Sequence, residues 1–264
     1  MQLSDTGSGT PLVLIPGLNG RWEYMSEAVD ALARSFRVVT FALAGERASG
    51  LPFDPARGLD DHVSQVVRAL DACHIERAVI CGVSFGGVVA VRFAAAHPER
   101  VSALVLVSAP GPVWHLKPRH RLYARAPWLF GPFFVAEAQQ RLRRELAVTM
   151  PQVGTRVRFG LKQLGNFMRA PASARQMGRR ARIIATLDLA DDCRRITAPT
   201  LVLTGETALD HVVPVEGTSQ YLRLIPGARG VVLERTGHAG TMTRPEAFAR
   251  LVREFAEKPH DAAA

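Results

Sequence analysis

The chain has 264 residues, 47% of them hydrophobic and 22% charged, enough to bury one large core and too apolar for a disordered segment. Its 33 Lys and Arg outnumber 24 Asp and Glu, a formal net charge of +9 that leaves nucleic acid, a membrane surface or an anionic substrate open as partners. Only Lys117, Lys162 and Lys258 are lysines, so the cations are overwhelmingly arginine, a compositional skew that selects no partner by itself.

From the N-terminus, Met1 to Thr10 is short and polar and lacks the basic start and apolar stretch of a secretory signal. Near-continuous runs of Val, Leu and Ile then recur at 12–15, 37–41, 78–83, 101–107, 200–204 and 230–233, the pattern of strands buried on both faces of a parallel sheet. Helical patterns separate them at 22–35, 60–74, 85–97, 215–224 and 245–255. This alternation predicts an α/β fold with right-handed crossovers and a mostly parallel sheet of six or seven strands. It breaks once, between Pro110 and Pro199, where the sequence turns helical and proline-punctuated. An all-helical insertion over 111–198 is expected, set on a core made of 1–110 and 199–264. Within it Val157, Leu161, Leu164 and Met168 share one helical face and Arg158, Lys162 and Arg169 another. Ala174, Met177, Ala181 and Ile184 oppose Arg175, Arg179 and Arg182 in the same way.

Cys73, Cys81 and Cys193 are odd in number and form no C-x-x-C pair, which argues against both a disulfide framework and a zinc site. The charge-free stretch 78–91 is shorter than the roughly 18 residues of a membrane span. These features predict a cytoplasmic protein without metal or cofactor.

Gly82-Val83-Ser84-Phe85-Gly86 is a G-x-S-x-G motif between a buried strand and a helix, the context that gives this short pattern meaning. The glycines let the helix approach the strand closely and set Ser84 on a sharp turn; an ordinary serine on a glycine-rich turn is the alternative. A serine hydroxyl needs a base to take its proton and a third group to orient that base. His238, inside Thr236-Gly237-His238-Ala239-Gly240, and Asp210, inside Asp210-His211-Val212-Val213-Pro214, both follow strands, where open α/β sheets build their sites. Glu206 rivals Asp210, because it follows its strand sooner. The remaining histidines, His62, His74, His97, His115, His120, His211 and His260, are expected to be solvated, packed or at a pocket rim.

These motifs, in the order Ser84, Asp210, His238, resemble the α/β-hydrolase superfamily, in its branch of helically capped serine hydrolases and esterases. The resemblance covers nearly the whole chain. It implies Ser84 as nucleophile, His238 as base and then acid, Asp210 as the orienting carboxylate, and an oxyanion hole from the backbone N–H groups of Leu18 and Phe85. Two departures from the family pattern stand out. Ile15-Pro16-Gly17-Leu18-Asn19-Gly20 carries Pro-Gly where relatives have His-Gly, and Ala42 and Glu46-Arg47 replace the acid and the His-Gly of a clamp loop. Only about ten residues precede the first long strand, so the sheet is expected to lack the family's first strand.

The implied reaction is hydrolysis of a carboxylic ester through an acyl-enzyme. A lactonase, a carbon–carbon bond hydrolase, a cofactor-free perhydrolase, or a ligand receptor without turnover are the alternatives. The pocket should lie between the Ser84 turn and the insertion, with Trp22, Phe85, Trp114, Trp128, Phe130, Phe133, Phe134, Val213 and Met242 as candidates for its lining. Charge is uneven: from Gly111 to Arg195 there are 17 basic and five acidic residues, a net +12, which leaves −3 for the rest. Nucleic acid is disfavoured for want of a recognition motif. A membrane surface remains open as a partner of the basic insertion, although solvated faces of amphipathic helices are the simpler account.

Overall fold

The computed structural model describes residues 1–114 and 118–257. Seven strands form one sheet: β1 (Leu3–Thr6), β2 (Thr10–Ile15), β3 (Phe36–Phe41), β4 (Ala78–Val83), β5 (Val101–Val107), β6 (Thr200–Thr204) and β7 (Arg229–Val232). Their order is β1-β3-β2-β4-β5-β6-β7, parallel throughout except for β1, which pairs antiparallel with β3 at one edge. The short edge strand falls within the polar N-terminus, where the sequence suggested none. Its Asp5 is held by the Arg37 guanidinium of β3, which keeps the carboxyl below its usual range against the opposing effect of burial.

β4 is buried at every position, as is β6, and β5 at all but one. That is why these three strands read as unbroken apolar runs. Two apolar layers flank the sheet. Helices α2 (Leu59–Ala72) and α3 (Phe85–Ala96) cover one face, and α1 (Ser26–Leu32) with α12 (Pro245–Ala256) the other. The expected helix 22–35 divides into a 3-10 turn, Trp22–Met25, and α1; the expected helix 215–224 divides into α9 (Val215–Thr218) and α10 (Tyr221–Leu224).

Between β5 and β6 the chain is helical: α4 (Pro118–Arg125), α5 (Pro127–Thr149), α6 (Val153–Arg169), α7 (Ala174–Thr186) and α8 (Ala190–Arg195). A bridge between Val113 and Asp188 ties the two ends of this segment together. α11 (Gly240–Thr243) completes the helices named here. Among the described residues, no helix is long and apolar enough to cross a membrane.

Sequence neighbours β2 and β3 lie on one side and β4 on the other, so the strand order reverses direction between β2 and β4. Ligand sites of open α/β sheets form outside the carboxyl ends of the strands at such a switch point. The loops that leave β2 and β4 there carry Leu18 and Ser84.

Candidate active site

Ser84 is the residue between β4 and α3, with φ +53° and ψ −119°, the geometry of the first central residue of a type II′ turn, which glycine favours. The turn is held by Ser84 N–H donating to the Val107 carbonyl at 2.8 Å and Gly87 N–H donating to the Ser84 carbonyl at 2.8 Å. Close packing forces it. A Cβ on Gly86 would lie 2.2 Å from the Ile15 carbonyl oxygen, and one on Gly82 would lie 2.3 Å from the Gly86 carbonyl oxygen. The Ser84 side chain lies beside the loop after β2, where a Cβ on Gly17 would sit 3.3 Å from Ser84 Cβ and 3.8 Å from its Oγ. Neither the Leu18 nor the Phe85 N–H donates a hydrogen bond to a described residue.

The loops after β6 and β7 meet backbone to backbone. A Cβ on Gly205 would fall 2.5 Å from the Gly237 carbonyl oxygen, and one on Gly237 would fall 2.5 Å from the Leu209 carbonyl oxygen. This contact brings Asp210 Oδ2 to 3.5 Å from His238 Nδ1. The distance is long for a hydrogen bond, and Nδ1 is buried with no other partner. Asp210 Oδ1 accepts the N–H groups of Val212 at 3.0 Å and Val213 at 2.9 Å. Burial pushes the Asp210 carboxyl up, but the adjacent His238 and those two N–H groups outweigh it and hold the carboxyl below its ordinary range. The rival Glu206 points elsewhere, its carboxylate accepting the Arg235 N–H at 2.6 Å. No hydrogen bond joins Ser84 and His238.

The sequence matches the profile of the α/β-hydrolase fold over residues 10–245. The chain belongs to the α/β-hydrolase family. It is 30% identical over 268 residues to a 2-hydroxymuconate semialdehyde hydrolase of Pseudomonas sp. strain CF600, covering 96% of this chain and 89% of that one. It is 28% identical to a pimeloyl-[acyl-carrier protein] methyl ester esterase of Aeromonas hydrophila, covering 94% and 96%. Among solved structures, the enol-lactonase of Burkholderia xenovorans LB400 superposes with a TM-score of 0.80 at 22% identity, covering 97% and 96%, which bears on the fold.

Two buried charges of this hydrolase, neither singled out by its sequence, reach the site from the helical insertion. Glu145 on α5 is fully buried, and both its carboxylate oxygens accept the Ala239 N–H at 3.1 Å, one residue past His238. Burial pushes the Glu145 carboxyl up, while the Ala239 and Gly237 N–H groups and the charge of His238 act the other way. The last turn of α5 adds two more bonds to the same loop. Thr149 Oγ1 donates to the Arg235 carbonyl at 2.9 Å, and Arg235 Nη2 donates to the Val148 carbonyl at 3.0 Å.

Arg180 on α7 is the second. It is counted among the insertion's cations that solvated helix faces would explain, yet it is 1% exposed. Its Nη1 donates to Glu46 Oε1 at 2.8 Å and to the Leu18 carbonyl at 3.0 Å, and its Nη2 donates to the Ala44 carbonyl at 3.2 Å. Glu46 also accepts the Ser173 N–H. The departure from the family clamp at Glu46 therefore has a structural partner in α7. His62 lies between these groups and the Ser84 turn, edge-on to Phe85 with ring centroids 5.3 Å apart. Burial, with the Arg180 charge as second cause, pushes its imidazole down to about 3.

The candidate lining residues divide. Val213 is buried and holds Asp210, Trp114 packs partly buried against the core near Gly217, and Trp22 and Met242 pack against the layer of α1 and α12. Phe133 on α5 is 62% exposed, with its ring near Phe130. The side chains of Trp128 and Phe134, and residues His115 and His260, lie outside the described residues. Among the described residues, no group of three or more His, Cys, Asp or Glu could hold a metal.

Proposed function

We propose that this α/β-hydrolase is a serine esterase, with residues 111–198 as a cap over the site. The observation that carries the reading is Ser84 held in a strained strand-to-helix turn beside two unused backbone donors, while His238 faces Asp210 on the adjoining loops. Ser84 Oγ attacks the ester carbonyl carbon as His238 Nε2 takes its proton, and the N–H groups of Leu18 and Phe85 receive the negative charge that develops on the carbonyl oxygen. His238 returns the proton to the departing alcohol, leaving an acyl group on Ser84. Water, deprotonated by His238, then releases the acid. Asp210 fixes the imidazole tautomer, and its long contact to Nδ1 is of the kind that tightens when substrate binds. No step calls on a metal or cofactor.

A fluorophosphonate probe should label the protein at Ser84, and p-nitrophenyl esters should give a burst. Absence of labelling in folded protein would favour a receptor without turnover. The second reading is supported by the semialdehyde hydrolase relative: 2-hydroxymuconate semialdehyde contains no ester, so its hydrolysis must break a carbon–carbon bond. A panel of short and long acyl esters, lactones and vinylogous diketones ranks the two readings by kcat/KM.

Glu145 gives the proposed site a pH signature. A carboxyl raised by burial favours folding most at low pH, and that contribution is lost as pH rises through its folded-state value. Glu145→Gln keeps an acceptor for the Ala239 N–H and removes the charge. Its Tm should match or exceed the wild type at pH 8 and fall behind in relative terms toward pH 5. Glu145→Ala should destabilise at every pH. Equal pH profiles for Glu145→Gln and wild type would reduce Glu145 to a packing role.

A further inference from the structure

Helix α6 is packed inside out. Val153, Val157, Leu161, Leu164 and Met168, which recur at helical spacing, are all exposed, from 55% at Val157 to 74% at Met168. The half-buried side carries Arg156, Phe159, Gln163 and Asn166, and the side-chain amide nitrogens of Gln163 and Asn166 have no hydrogen-bond partner. A surface helix of a globular protein normally turns its apolar stripe to the core. The periodicity in the sequence identified this stripe but not the direction it faces.

The helix packs against the 3-10 turn 22–25, with the Lys162 to Glu27 ion pair along it and the Tyr24 hydroxyl donating to the Ala170 carbonyl at its end, 3.2 Å. Gly154, Gly160 and Gly165 have open space where a Cβ would stand, and glycine within a helix lowers its stability relative to alanine. Such a helix is stabilised by whatever covers its apolar face.

Charge selects the occupant. α6 contains Arg156, Arg158, Lys162 and Arg169 and no acidic residue, with exposed Arg158 and Arg169 forming a row beside the apolar one. A symmetric dimer through this face would set the same cationic rows against each other. An anionic lipid surface accepts both rows at once, with the apolar side chains in the acyl boundary and the arginines at the headgroups. We propose that the outer face of α6 docks the enzyme on anionic membrane surfaces. This is independent of which bond the site cleaves.

The test is cosedimentation of the full chain with phosphatidylglycerol vesicles and with phosphatidylcholine vesicles, beside analytical ultracentrifugation without lipid. The wild type should bind phosphatidylglycerol at least tenfold more tightly than phosphatidylcholine, and less tightly as salt rises. The variant Leu161→Ser/Leu164→Ser/Met168→Ser, altered only at exposed positions, should keep its Tm and lose at least tenfold in binding. Arg158→Gln/Arg169→Gln should lose the preference for anionic lipid. The proposal is overturned if the wild type ignores phosphatidylglycerol, if the serine variant binds equally well, or if the wild type is a dimer that the serine variant converts to monomer without any vesicle binding.

Discussion

Ser84→Ala should lower kcat/KM on any ester the wild type turns over by about 10⁴-fold or more, with KM little changed, because it removes the proposed attacking atom and leaves the proposed oxyanion donors in place. The same position carries backbone strain. With φ at +53°, alanine inherits the cost that serine bears, on the order of 1–3 kcal/mol, whereas glycine does not. Ser84→Gly should therefore be as inactive as Ser84→Ala and measurably more stable in chemical denaturation. Activity and stability then move in opposite directions at one residue, as expected where a strained turn exists to present a nucleophile. An active Ser84→Ala protein would remove the serine mechanism altogether. An inactive but no more stable Ser84→Gly would mean that the turn is relaxed in solution.

The parts of the fold that were legible in the sequence are those where one local pattern has one structural outcome. β4, β5 and β6 are buried on both faces, so their apolar runs coincide with the strands. The glycines around Ser84 and those at 205 and 237 sit at close backbone approaches, which shape the Ser84 turn and join the loops that follow β6 and β7. Asp210 and Glu206 could not be separated that way. The choice rests on where each side chain goes, and Glu206 is taken by the Arg235 N–H. β1 leaves no mark in the sequence because a four-residue edge strand with Asp5 and Ser4 needs no apolar pattern; β3 supplies the pairing.

Glu145 and Arg180 were illegible for a different reason. Each is one charge in a segment with a net charge of +12, and its meaning lies in partners 94 and 134 residues away in sequence. Charge counts treat every arginine of the insertion alike, whereas among the described residues burial singles out Arg180. The direction in which α6 turns its stripe is likewise a property of packing, since the same periodicity serves a core-facing and an outward-facing helix.

The pair Arg180 and Glu46 carries the second large effect. Burial lowers the Arg180 guanidinium below its ordinary range, against the pull of Glu46, so the ion is costly to hold where it is. Removing one partner leaves the other buried without its counterion. Glu46→Ala should cost about 3–5 kcal/mol, which for a chain of this size is a fall in Tm on the order of 10 °C. Arg180→Met should be similarly damaging. The double variant Arg180→Met/Glu46→Leu removes both charges and should recover most of that stability, since well-packed apolar side chains commonly replace a buried ion pair without loss. It does not restore the bonds from Arg180 to the carbonyls of Leu18 and Ala44, which tie α7 to the loop proposed to hold the oxyanion. The double variant should thus regain Tm while kcat stays depressed, by about 10-fold or more if the Leu18 N–H is displaced from its place beside Ser84. If kcat returns together with Tm, the pair only staples the insertion to the core; if kcat stays low, Arg180 is a positioning residue of the site, acting through the backbone of Leu18.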